Sequence, residues 1–160
     1  EQEGKLDTKN ITYEKVVAYS NSAATKIGTK TYGQLFQNIT FKDLDIVKAG
    51  RALGINADDT SVIQNITWQD VRIEAVDGRI IDFEEDATAT WRNAPNTATV
   101  KEVFITNVAA AANKEIYIHG KSGSVNFDGI HFDNFSIAGN KVTSKNGWNT
   151  NSFVSNITFK

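Results

Sequence analysis

The sequence predicts an all-β fold, a right-handed parallel β-helix of five to six coils. Three observations predict it. First, one phrase recurs as NITY at Asn10, NITF at Asn38, NITW at Asn65 and NITF at Asn156. Degenerate copies at Glu102 (EVFITNV) and Gly129 (GIHFDNF) complete a series with steps of 28, 27, 37, 27 and 27 residues. Second, a strand-like segment stands between successive phrases, at residues 25–29, 51–56, 79–84 and 115–119. Third, the joining stretches are rich in Gly, Asn, Asp, Ser and Thr, which is turn chemistry, and no segment carries a 3.6-residue apolar period with caps. A β-strand-and-turn unit of about 27 residues is one coil of a solenoid whose coils stack as parallel strands ~4.8 Å apart. Propeller blades need ~40 residues or more, and the leucine-rich pattern is absent.

The first coil carries Asn10-Ile11-Thr12-Tyr13 and then residues 25–29. In the second, Ile39, Phe41, Leu44 and Ile46 alternate with polar residues, and 51–56 follows. The third holds Asn65-Ile66-Thr67-Trp68 and 79–84. About ten residues inserted near 86–95 account for the long step. The fourth coil has 102–108 and 115–119, the fifth 129–135, and the last phrase closes the chain. Stacking explains the repetition. Ile39 and Ile66 should point inward one above the other, Phe41 and Trp68 should share an aromatic stack, and repeated Asn can form a ladder. Asn10, Asn38, Asn65, Asn134 and Asn156 also satisfy N-x-S/T, but even spacing is better explained by the fold than by glycosylation.

Residues 1–160 make a single β-helix domain. Net charge is −2 with both signs mixed, and no basic stripe points to nucleic acid. No apolar run approaches a membrane span, so no membrane partner is expected. There is no cysteine to form a disulfide or thiolate site, and no methionine, even at position 1. The phrase arrives at once, without a cap, so the solenoid is expected to continue upstream as a contiguous N-terminal β-helix portion.

If Leu53, Ile55, Ile81 and Phe83 face inward, then Gly54, Asn56, Asp82 and Glu84 face outward. By the same register Lys26, Tyr117 and His119 join them, and Trp91 and Arg92 of the insertion can rim the face. Lys26, Asn56, Trp91, Tyr117 and His119 are therefore expected to bind a polysaccharide or oligosaccharide. Asp82 and Glu84, two apart on one strand, are the candidate catalytic pair for acid and base work on a glycosidic bond. Calcium on these oxygens with Glu85 and Asp86 is a weaker reading, and neither a metal nor a cofactor is expected. Asp58-Asp59 reads as a turn. His119 and His131 fall in different parts of the coil, too far apart in register to share a metal.

At this point the chain resembles a known family. Residues 20–29, with Phe36-Gln37-Asn38-Ile39-Thr40-Phe41 and Asp43-Leu44-Asp45-Ile46-Val47, resemble the later coils of β-helical glycoside hydrolases of the pectin-lyase-like superfamily, the polygalacturonase-like and dextranase-like enzymes. Residues 129–143 and 154–159 resemble their C-terminal close. The resemblance implies a secreted or periplasmic polysaccharide hydrolase whose main aspartates lie on an Asn-x-Asp-Asp strand one coil before Lys26, upstream of Glu1. Asn56-Ala57-Asp58-Asp59 imitates that strand one coil late. The histidine that such enzymes place before the Ile-Gly segment is replaced here by Ala23 and Ala24. Their Arg-x-Lys pair, which grips acidic sugar, is replaced by Gly54 and Asn56. These departures imply a neutral glycan more than pectin. Two readings remain: part of a hydrolase groove, or a non-catalytic carbohydrate-binding or scaffolding β-helix. A lyase, with Lys26 as base, is weaker.

Overall fold

The computed structural model describes residues 6–28, 31, 35–58, 60–84, 98–121 and 126–160. Its strands are β1 (Thr8–Tyr19), β2 (Ala23–Ile27), β3 (Leu35–Asn56), β4 (Val62–Ile73), β5 (Val76–Glu84), β6 (Thr99–Ala110), β7 (Glu115–His119), β8 (Asn126–Ile137), β9 (Asn140–Lys141), β10 (Asn149–Thr150) and β11 (Val154–Phe159). The described residues contain no helix.

The strands stack in parallel as a solenoid of five coils, with β11 opening a sixth. β1, β3, β4, β6, β8 and β11 form one wall in that order. β2, the second half of β3, β5, β7 and β10 form the other. Ile11, Ile39, Ile66, Val103, Ile130 and Ile157 lie one above another, in the steps the phrase predicted. The register also places the additional residues of the long step between β5 and β6. That insertion, Trp91 included, falls outside the described residues.

Each coil turns two corners on the first wall with left-handed backbone. One column of positive φ runs through Asn10, Asn38, Asn65, Glu102, Gly129 and Asn156; the other runs through Lys15, Asp43, Asp70, Asn107 and Asn134. Asn is the side-chain-bearing residue best suited to that conformation. Its amide also bonds the next coil: Asn38 Nδ2 donates to Asn10 Oδ1 at 2.9 Å, Asn65 to Asn38 at 3.3 Å and Asn134 to Asn107 at 2.9 Å. The phrase recurs because the corner recurs. Asn38, Asn65 and Asn134 are committed to these ladders.

The walls enclose an apolar core. Tyr13, Phe41 and Trp68 stack face to face at 5.2 and 5.3 Å. Ile105 occupies the next position in that column, and the stack crosses to Phe83 on the other wall at 5.5 Å from Trp68 and returns to Phe127 on the first at 6.3 Å. The buried indole of Trp68 donates to Thr25 Oγ1 at 2.9 Å, and the Thr25 hydroxyl donates to the Ala52 carbonyl at 3.0 Å, so no polar atom of this chain of contacts is stranded. In the first coil Val17 and Tyr19 are 70% exposed. After β8 the chain forms a hook: β9 pairs antiparallel with β8, and Trp148 packs edge-on against Phe132 and Phe159.

Candidate functional site

The face predicted from alternation is assembled by the strand pairings. Lys26, Gly54, Asp82, Tyr117 and Asn149 form one row across five coils. Asn56, Glu84 and His119 form the row beside it. Two glycines make room. Gly28 has φ +101°, and a Cβ there would stand 2.1 Å from the Asn56 carbonyl oxygen. A Cβ on Gly54 would meet the Lys26 Cγ at 3.3 Å.

Outward does not mean accessible. Asp82 is 1% exposed and Asn56 5%. Neighbouring coils lie only ~4.8 Å apart, so long side chains close over short ones. Over Asp82 those side chains are arginines. Arg51 Nη1 donates to Asp82 Oδ2 at 2.8 Å, and Arg79 Nη1 donates to Asp82 Oδ1. Arg79 also reaches Glu84 at 3.4 Å and, through Nε, Glu115 at 2.8 Å. Its guanidinium carbon stands over the Tyr117 ring, 3.8 Å from the centroid. Tyr117 in turn stacks on His119 at 4.0 Å.

The network continues into the last coil. Asn149 Nδ2 donates to Glu115 Oε1 at 2.8 Å, and Asn149 Oδ1 lies 2.7 Å from His119 Nε2. A carboxylate can only accept, so the amide must turn its NH2 to Glu115 and its oxygen to His119. His119 therefore carries hydrogen on Nε2 and donates it. Asn149 fixes the imidazole as well as its tautomer.

The charges tune one another. Burial first, and then the charge of Asp82, push the Glu84 carboxyl above the ordinary range, although Arg79 and Arg51 pull the other way. The Asn149 hydrogen bond, then Arg79, hold Glu115 below it. Burial, then Glu84, raise the Tyr117 phenol. Burial alone would lower Arg79, but its bonds to Asp82 and Glu115 outweigh that and keep it charged. Glu84 is thus the half-buried carboxyl best able to keep a proton. Asp82 has both oxygens engaged by guanidinium groups.

Sequence reasoning missed Arg51, Arg79, Glu115 and Asn149. Strict alternation back from Leu53 and Ile81 sends both arginines inward. The pairing instead shifts register at Ala49/Arg51 and at Arg79/Ile81. Ala52 and Leu53, like Ile80 and Ile81, are consecutive buried residues, a break in alternation that frees the arginines to face out. Two signals stood in the sequence: the Gly-Arg dipeptide repeated one coil apart at Gly50 and Gly78, and the Ile80-Ile81 doublet. Trp91, Asp59, Glu85 and Asp86 lie outside the described residues. Asp58 lies just past β3 in the expected turn, where Thr31 Oγ1 accepts from its N–H at 2.9 Å. His131 stands on the opposite wall from His119, with Glu102 at 3.2 Å and Thr158 at 2.8 Å.

A family model described as glycosyl hydrolases family 28 matches residues 25–156, a span that contains every residue of these rows. None of the curated proteins and none of the solved structures matches the chain.

Proposed function

From a chain that belongs to glycosyl hydrolases family 28, and whose family implies a polysaccharide substrate, we propose part of the substrate groove of a polysaccharide-degrading hydrolase, built for a neutral glycan. The observation that carries this reading is the charge arrangement of the face. Lys26, Arg51 and Arg79 are balanced by Asp82, Glu84 and Glu115, and both arginines are engaged by carboxylates of the protein itself. An acidic polymer would have to compete with those ion pairs. A neutral one needs only the hydroxyl-binding groups and the aromatic platform of Tyr117 and His119. Lys26 stands at the first-coil end of the row that holds Tyr117, and His119 completes the platform. Asn56 pairs with Glu84 in the neighbouring coil, and Trp91 is assigned to the same ligand through the insertion that follows β5.

In this reading the principal catalytic aspartates stand on a coil before Lys26. Glu84 is the acid of the Asp82–Glu84 pair, and Asp82 anchors the arginines around it. The family is typically extracellular, and no helix among the described residues is long and apolar enough to cross a membrane. We place the chain outside the cell or in the periplasm.

Electrophoresis of the protein through gels containing a neutral glucan or polygalacturonate tests the choice. Retardation by the glucan alone is expected; retardation by polygalacturonate alone would overturn it. The burial of Asp82 favours a second reading, in which the face binds carbohydrate without cleaving it. Reducing ends released from glucan by the protein, and lost in Glu84→Gln, would exclude that alternative.

A further inference from the structure

A second recess opens beside the groove. It lies between the loop entering β7 and the hook after β8, and measures about 740 Å³. Nothing in the row just described requires it. Its walls carry four side-chain amides, from Asn113, Asn140, Asn146 and Asn149, together with the half-buried indole of Trp148.

We propose that this cleft binds a short neutral oligosaccharide as a side site of the groove. The proposal rests on the carbohydrate reading of the groove and adds a location to it. An amide both donates and accepts, as a sugar hydroxyl does, and the indole supplies an apolar face with one donor. The indole is rigid before any ligand arrives. Phe132, Phe135 and Phe159 hold it at interplanar angles of 67°, 79° and 64°. A turn bond from Trp148 N–H to the Lys145 carbonyl, 3.1 Å, fixes its backbone. Little ordering cost is left for binding.

The cleft is continuous with the groove through two shared residues. Glu115 and Asn149 line it, and the same side chains hold Arg79 and His119. A saccharide passing His119 meets Asn149 next. The wall carries one carboxylate, Glu115, and two ammonium groups, that of Lys114, which donates to the Asp77 carbonyl at 3.4 Å, and that of Lys141; the choice of a neutral ligand rests on the four amides and the indole, which outnumber them.

Titration of 15N-labelled protein with neutral gluco-oligosaccharides, and separately with oligogalacturonates, reads the two sites apart. The Trp148 indole signal, assigned with Trp148→Phe, reports the cleft; Tyr117 and His119 report the groove. The expected result is a Trp148 shift with the neutral sugars. Asn113→Ala/Asn146→Ala, which alters two exposed amides, should weaken that response at least tenfold while the melting temperature and the groove signals hold. Groove shifts without a Trp148 shift would overturn the side site alone. So would a Trp148 response confined to oligogalacturonates, or undiminished affinity in the double variant. Silence of both sites toward every saccharide would overturn the groove reading and this proposal with it.

Discussion

Along the first wall, the columns that carry the phrase are copies through the first three coils: Ile over Ile, Thr over Thr, Asn over Asn. Along the second wall they are strangers: Lys26, Gly54, Asp82, Tyr117 and Asn149. Both walls obey the same parallel stacking and the same spacing. The first wall repeats because a left-handed corner and an inward apolar residue are needed at every level. The second has no such need on its outer face, and there each coil contributes a different group to one network. In a solenoid, departure from the repeat is where chemistry can reside.

The comparison can be broken at several points, and the largest effect belongs to the repeated wall. Trp68→Ala should cost about 3–5 kcal/mol, since it opens the stack between Phe41 and Phe83 and removes the donor to Thr25. Urea denaturation measures it; a cost below 1 kcal/mol would mean that the stack is not what holds the coils together. Arg79→Ala comes next, at about 3 kcal/mol, because it strips a guanidinium from the buried Asp82. If binding fell with no loss of stability, the second wall would be purely functional, and the two walls would differ more than argued above.

Asn38→Ala should cost about 1–2 kcal/mol, because alanine resists φ 56° and breaks two rungs of the ladder. Asn38→Gly should cost less, since glycine keeps the corner and loses only the rungs. Equal losses in the two variants would assign the effect to the ladder rather than the corner.

The smallest effect is a pH dependence. Glu84 has a raised value in the folded protein, so the folded state holds its proton longer than the unfolded chain does. Its contribution to stability is therefore present below the ordinary carboxylate range and is lost as pH rises through Glu84's raised value. Glu84→Gln should match the parent in acid and exceed it above that window. Glu115, held low, acts with the opposite sign: its contribution is present above the ordinary range and lost as pH falls. Melting curves of Glu84→Gln and Glu115→Gln across this range should diverge from the parent in opposite directions.

The architecture was legible because period, phrase and alternation agreed at every coil. The inward set Leu53, Ile55, Ile81 and Phe83 and the cross-coil partners of Lys26, Asp82 and Glu84 follow from counting alone. Accessibility did not follow. Whether Asp82 meets solvent depends on how far Arg51 and Arg79 reach, and that depends on one break in alternation. The second corner, through Lys15, Asp43, Asp70, Asn107 and Asn134, was also hidden, because it tolerates several residue types where the first prefers Asn. The hook and its cleft could not be counted at all, since they are made where the chain leaves the repeat.

The long step between the third and fourth coils has a further consequence. Ile66 still lies against Val103, and Glu84 against His119, as if nothing had been added. Loop length enters the free energy only logarithmically, so this junction is a socket. Segments of different length and composition can be exchanged there while every stacked pair keeps its partner, and they would emerge beside the network of Asp82 and Glu84. Specificity could then diversify by replacing one cassette at the rim while the ladder beneath stays as written.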